Sequence, residues 1–324
     1  MTATTDSTPT ATLASTRRGG GVPYKIEVEH LTKRYGHTPV VDDLSFTVQS
    51  GRVTGFLGPN GSGKSTTMKI LLGLASADGG KATIGGHRYR DLPDPTATVG
   101  VLLEPNAFHP GRSGRNHLLI LADIAGVPSA RVTEMLSLVG LNPDAAHRNV
   151  GTYSLGMRQR LSLAAALLCD PFVLILDEPG NGLDPQGIRT LRNLLRARAE
   201  NGDTVLVSSH LLSEVEHLVD DVIVIDRGRP ITSGTIHDLQ NTASLVRTAS
   251  AKQFKDVLES TGIVAELQDA HTLLIRGLPI EEIGERAFSA GFVLHELSRH
   301  SGSLEDLFLD WTRGDADEKE VTHL

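Results

Sequence analysis

The chain runs to 324 residues, with 31 Lys+Arg against 39 Asp+Glu and a formal net charge of −8. At about 100–200 residues per domain, that length suggests one large domain with an appendage, or two domains. Mild acidity argues against a dedicated nucleic-acid binder; a single cysteine, Cys169, excludes an intramolecular disulfide and a Cys-rich metal site and suits a reducing cytosol.

Residues 1–22 are mostly Thr, Ser, Ala and Gly, ending in Arg17-Arg18-Gly19-Gly20-Gly21. They lack the apolar core of a secretory signal; their acid-poor look faintly resembles a transit peptide, and a disordered leader is the reading adopted. Alternating patterns follow at 26–28 and 44–48, then an apolar strand at 53–57. Further strands are predicted at 99–103, 172–176, 204–208 and 222–225. Helical periodicity fits 65–74, 115–125, 131–138, 157–168 and 188–199. In the last of these Ile188, Leu191, Leu194 and Leu195 share one face and Arg189, Arg192 and Arg196 another. Apolar strands separated by helices predict an α/β fold, a parallel sheet covered on both sides, with the early strands as an antiparallel addition. No apolar run is long enough for a membrane-spanning helix, so any membrane role falls to a partner chain.

Beyond about residue 241 the order becomes β-α-β-β-α-β: strand 245–248, helix 252–259, strands 264–267 and 273–275, helix 280–288, strand 293–297. That is the plan of a small α+β, ferredoxin-like unit. A short helix at 304–311 and an acidic, solvated tail close the chain. The expected organisation is a leader at 1–22, a main domain at 23–240, an accessory domain at 241–313 and a tail at 314–324. No tandem repeat is present.

Two segments carry chemistry. Gly58-Pro59-Asn60-Gly61-Ser62-Gly63-Lys64-Ser65-Thr66 follows the apolar strand and opens a helix, the setting that the G-x-x-x-x-G-K-[ST] pattern requires. Glycines let successive N–H groups ring a phosphate, the helix N-terminus adds partial positive charge, Lys64 reaches the β- and γ-phosphates, and Ser65 is placed to ligate Mg²⁺. A glycine-rich turn that merely ends in Lys-Ser is the plainer alternative, and both flanks speak against it. The second segment, Phe172-Val173-Leu174-Ile175-Leu176-Asp177-Glu178, brings two carboxylates to a sheet edge, where open α/β folds place ligands. Asp177 can hold Mg²⁺ and Glu178 can polarise an attacking water. Alone, these motifs allow a GTPase, a kinase or several ATPases; the chain has no Asn-Lys dipeptide for a guanine-reading motif, which removes the GTPase.

Tyr153-Ser154-Leu155-Gly156-Met157-Arg158-Gln159-Arg160-Leu161 lies one helix before the carboxylate strand. With Glu178-Pro179, Gly182-Leu183-Asp184-Pro185 and Ser208-Ser209-His210, it resembles the ATP-binding subunit of ABC transporters over roughly residues 24–234, most closely bacterial exporter ATPases of the bacitracin and lantibiotic type. The resemblance implies a P-loop ATPase domain with antiparallel β and helical subdomains, ATP and Mg²⁺ as cofactors, and hydrolysis coupled to transport. It implies that Tyr35 stacks on adenine, that His210 contacts the γ-phosphate, and that Ser154 and Gly156 close over ATP held by a second subunit. It places Asp184 in the loop that links the two sites, without a chemical step. The implied partners are a second copy in a homodimer and a separate transmembrane permease, with no nucleic acid. The implied location is peripheral, on the cytoplasmic face of the membrane.

Three residues depart from the family pattern. Glu104 stands where Gln is usual; its carboxylate can still reach Mg²⁺ but adds negative charge near phosphate. Leu155 and Met157 replace a glycine and a glutamine in the signature turn. Rival readings are a chromosome-maintenance ATPase, which often has a long coiled coil between cradle and signature; a translation-associated ABC protein, which typically has two cradles; and a nucleotide sensor with decayed hydrolysis. The mixed pattern of 67–152, the single cradle, and the intact Lys64, Asp177, Glu178 and His210 argue against them in turn.

Overall fold

In the computed structural model, which describes residues 24–103, 108–210, 216–240 and 243–300, the chain begins with a long hairpin, β1 (Ile26–Tyr35) and β2 (Thr38–Val48). β3 (Arg52–Leu57), α1 (Lys64–Leu71), β4 (Gly79–Ile84), α2 (Pro95–Thr98) and β5 (Val99–Leu102) follow. A helical stretch comes next, with α3 (Gly114–Ile124), α4 (Ser129–Leu138), α5 (Pro143–His147) and α6 (Leu155–Leu167). Then come β6 (Val173–Asp177), α7 (Pro185–Glu200), β7 (Thr204–Ser209), β8 (Asp221–Asp226) and β9 (Arg229–Thr235).

The central sheet has the order β5-β6-β7-β3-β8-β9; its first five strands are parallel and β9 runs antiparallel at the edge. Its strands alternate between two cores. Val53, Leu57, Leu174, Leu176, Val205, Val207, Val222 and Val224 turn toward one face, with Leu161 and Leu163 of α6 and Leu195 of α7. Phe56, Val173, Ile175, Leu206, Ile223 and Ile225 turn toward the other, where Met68 and Leu71 of α1 meet Ile26, Leu31 and Leu44 of the hairpin. Each fully buried Val, Leu, Ile or Phe contributes about 1.5–3 kcal/mol relative to exposure. Burial on both faces is why these strands read as unbroken apolar runs. A second, antiparallel sheet, β2-β1-β4, lies over the face bearing Phe56 and Ile225.

Helix starts follow local chemistry. The Ser113, Asn142, Ser154 and Asp184 side chains each accept a hydrogen bond from the backbone N–H three residues on, at Asn116, Ala145, Met157 and Gly187; such a cap contributes about 1 kcal/mol. The sequence periodicity places three of these starts late, at 115, 157 and 188 against the observed 114, 155 and 185, because a Gly or Pro in the first turn interrupts the apolar period; α5 has no sequence expectation. β4 and β9 have no sequence expectation: Gly79-Gly80-Lys81 and Arg229-Pro230 are weak strand formers, and Pro230 is admissible because β9 is an edge.

Beyond residue 242, β10 (Ala243–Arg247), β11 (Ala265–Leu267), β12 (Thr272–Arg276) and β13 (Glu296–His300) form an antiparallel sheet of order β11-β12-β10-β13. The helices Ala251–Ser260 and Ile280–Ser289 pack on one face around Phe254, Val246, Ile275 and Ile283. The last strand differs from the expected 293–297: Val293 is exposed and precedes it, and Leu297 pairs opposite Val246. The expected helix at 304–311, the leader and the tail lie outside the described residues. Among the described residues no helix is long and apolar enough to cross a membrane.

One buried ion cluster anchors the lower end of the sheet. Arg198 on α7, 4% exposed, donates to Asp170 and to the Pro171 carbonyl and lies 2.6 Å from the buried carboxylate of Asp203. Arg198→Met removes the cation while Asp203 stays buried, so a loss of about 3–5 kcal/mol is expected. It is read as a lower denaturant midpoint with an unchanged slope.

Candidate active site

The chemistry-bearing residues gather at the C-terminal edge of the parallel sheet, where β3, β7 and β6 end side by side: Leu57 pairs with Ser209 and Asp177 with Ser208. From β3 the chain turns through residues 58–63 into α1. Two glycines there answer to close packing. A Cβ at Gly58 would sit 2.3 Å from the Ile225 carbonyl oxygen and 2.6 Å from Ser62 Oγ; one at Gly63, whose φ is 104°, would sit 2.5 Å from the Val40 carbonyl oxygen. Pro59, Asn60 and Gly61 form the outer turn, with Asn60 and Gly61 exposed; Thr66 is half-buried in the first turn of α1.

Lys64 is 5% exposed, and its ammonium donates to the carbonyls of Gly58 at 2.6 Å and Pro59 at 3.1 Å. Burial pushes its pKa down from the ordinary lysine range; the nearby Glu178 and Asp177 charges oppose that shift. Ser62, in the same loop, is 2% exposed, and its hydroxyl has no hydrogen-bond partner among the described residues.

A continuous chain of hydrogen bonds ties the remaining groups together. Ser65 Oγ donates to Asp177 Oδ2 at 2.7 Å, and Ser208 Oγ donates to Asp177 Oδ1. The Glu178 N–H donates to Ser208 Oγ at 3.0 Å. His210 Nδ1 lies 2.9 Å from Glu178 Oε2. Glu178 has φ 47°, a left-handed backbone uncommon for a side chain of its size. Its carbonyl accepts from Gln159 Nε2 at 2.9 Å.

The sequence-predicted residues thus fall in three places. Lys64, Ser65, Asp177, Glu178 and His210 share the sheet edge. Ser154 and Gly156 stand at the start of α6 against the loop after β6, where a Cβ on Gly156 would meet the Gly182 carbonyl oxygen at 2.4 Å. Tyr35 ends β1, is 57% exposed, and has the Lys33 ammonium 5.4 Å from its ring centroid. Glu104 lies outside the described residues.

Two departures in the signature turn acquire contacts. The Leu155 side chain lies over Gly182, filling the space a Cβ there would need. Met157 Sδ accepts a weak hydrogen bond from Arg148. Sequence reasoning gave no role to Ser208, Gln159 or Arg160, although all three sit inside motifs it singled out. Arg160 donates to the Val139 carbonyl at 2.8 Å and to Asp184 Oδ1 at 2.7 Å. Its guanidinium occupies the room left by Gly140 and Gly187. The Gly187 N–H, joined by Arg160, holds the Asp184 carboxyl below the usual carboxylate range.

Residues 41–181 match the model of the family described as ABC transporter, and 242–305 match a domain of unknown function. The chain is 36% identical over 304 residues to YhcH of Bacillus subtilis, described as an uncharacterized ABC transporter ATP-binding protein, covering 92% of this chain and 98% of that one. It is 42% identical over 207 residues to the bacitracin transport ATP-binding protein BcrA of Bacillus licheniformis, covering 63% and 67%. A solved ATP binding subunit of an ABC transporter superposes with a TM-score of 0.60 at 25% identity, covering 81% of this chain and 99% of that one.

Gly58→Ala forces a methyl group onto the Ile225 carbonyl, so nucleotide affinity is expected to fall by about tenfold or more, measured by calorimetric titration. Phosphate favours the charged form of Lys64, whose pKa is lowered, so affinity in the wild-type chain should decline as pH rises through the alkaline range. An affinity that grows with pH contradicts this assignment.

Proposed function

The chain belongs to the ABC transporter family as an ATP-binding subunit that hydrolyses ATP, and on that premise we propose that it powers an exporter by closing on ATP with a second copy of itself. The observation that carries the reading is the unbroken contact from Ser65 through Asp177 and Ser208 to Glu178 and His210 at one sheet edge. That arrangement supports reading the loop as the phosphate site, Asp177 as the carboxylate for metal and Glu178 as the carboxylate for water.

In this reading the loop from Gly58 to Thr66 wraps the phosphates, and the Lys64 ammonium exchanges the Gly58 and Pro59 carbonyls for phosphate oxygens. Tyr35 stacks on adenine. Glu178 accepts a hydrogen bond from the attacking water and aligns it with the γ-phosphate, while His210, paired with that carboxylate, faces the developing charge. Ser154 and Gly156 act on the nucleotide of the partner copy: the capped start of α6 offers a hydroxyl and backbone N–H groups to the γ-phosphate. One chain has one loop and one such turn, so two complete sites need a two-fold pair.

The donors present fit Mg²⁺. Ser65 and Asp177 are hard oxygen ligands already in contact, and this ion is held by one or two carboxylates with phosphate oxygens and water. Ser65, Asp177 and Glu104 would hold it, and when bound it neutralises charge on the β- and γ-phosphates.

Transport itself is assigned to a separate membrane-embedded permease, with this chain peripheral on the cytoplasmic face. Export follows from the likeness to bacitracin-type ATPases. Glu178→Gln should keep ATP binding, lose on the order of 10²–10⁴-fold in turnover, and elute as an ATP-dependent dimer on a sizing column. Near-normal turnover in that variant removes Glu178 from its role.

A further inference from the structure

We infer that Gln159 is a positioning residue for Glu178, and that through it the opening turns of α6 aim the carboxylate of the same chain. The inference rests on the reading of Glu178 given above. Glu178 holds a left-handed backbone, φ 47°, which a residue with a Cβ adopts only when its surroundings impose it. Three side chains from two elements and one adjoining loop impose it here. Ser208 on β7 takes the N–H at 3.0 Å, Gln159 on α6 donates to the carbonyl at 2.9 Å, and His210 lies 2.9 Å from the carboxylate.

Gln159 is 2% exposed, and its Oε1 is buried without a hydrogen-bond partner among the described residues. A buried amide with one unsatisfied oxygen is a poor stabiliser, since an apolar side chain of equal size would leave no such acceptor. What the amide supplies is the single donor aimed at Glu178. The same helix start holds the rest of the following loop: Gly156 packs against Gly182, and Arg160 binds Asp184. α6 therefore grips the loop at 178, 182 and 184, and a shift of this helix is passed to the peptide that orients Glu178. Since Ser154 caps α6, the turn proposed to meet a partner's nucleotide and the carboxylate of the chain's own site share one rigid support.

The test is Gln159→Met in the full chain, close in volume and unable to donate, alongside Gln159→Asn, which keeps the amide but is one methylene too short. Both should bind ATP within about twofold of wild type, melt within a few degrees of it, and show an unchanged KM with kcat reduced by about tenfold to a hundredfold. In a Glu178→Gln background Gln159→Met should lower residual turnover no further, because its effect passes through that carboxylate. Wild-type kcat in either variant, in a protein whose Glu178→Gln form is inactive, overturns the inference and leaves the proposed function standing. Loss of ATP binding together with a large drop in melting temperature also overturns it, showing a structural role. Full turnover in Glu178→Gln itself defeats the underlying reading, a separate result from these.

Discussion

Asp177 accepts hydrogen bonds from two hydroxyls, Ser65 at the head of α1 and Ser208 on β7. That one carboxylate fastens three segments far apart in sequence, and the arrangement of the site depends on it. It exists because β6 is buried on both faces up to Leu176 and then meets solvent at the sheet edge. Each polar group at that edge must find a partner there, and the neighbouring strands supply them in register. The phosphate loop is positioned by the same logic: β3 lies between β7 and β8, so its end is fixed beside Ser209 and against the Ile225 carbonyl.

Much of this was legible in the sequence because period and composition report burial directly. The apolar runs that became β3, β6, β7 and β8 stood out since both of their faces are covered, and in the loop before Lys64 the pattern's glycines 58 and 63 are packed against backbone. The β-α-β-β-α-β order beyond residue 241 is the observed element order. What escaped was set by partners distant in sequence. β4 and β9 pair at edges with glycine- and proline-containing stretches that show no alternation. Gln159 reads as an ordinary polar residue on a helix until the fold shows it buried beside Glu178. The left-handed backbone of Glu178 leaves no mark in the sequence, since nothing about a glutamate announces it.

The departures from the family pattern look different once their neighbours are known. Leu155 gives up the backbone freedom of a glycine, and its side chain settles over Gly182, adding apolar contact where a smaller residue would leave the loop uncovered. That contact falls within the same loop that Gln159 and Arg160 hold, so the altered turn is joined to the carboxylate strand more firmly than its sequence suggests.

Arg160 carries a consequence for how this chain can be altered. Replacing a helical glycine with alanine is a common route to a more stable variant, because it restricts the unfolded chain. Gly187, in the first turn of α7, looks suited to that treatment. Yet a methyl group there would approach the Arg160 guanidinium to 2.8 Å and Asp184 to 2.7 Å, while one at Gly140 would meet the other guanidinium nitrogen at 2.5 Å. The arginine therefore lies in space that both glycines leave open. A side chain at position 140 or 187 would have to displace the guanidinium from the Val139 carbonyl and Asp184, so choices at 140, 160 and 187 are coupled.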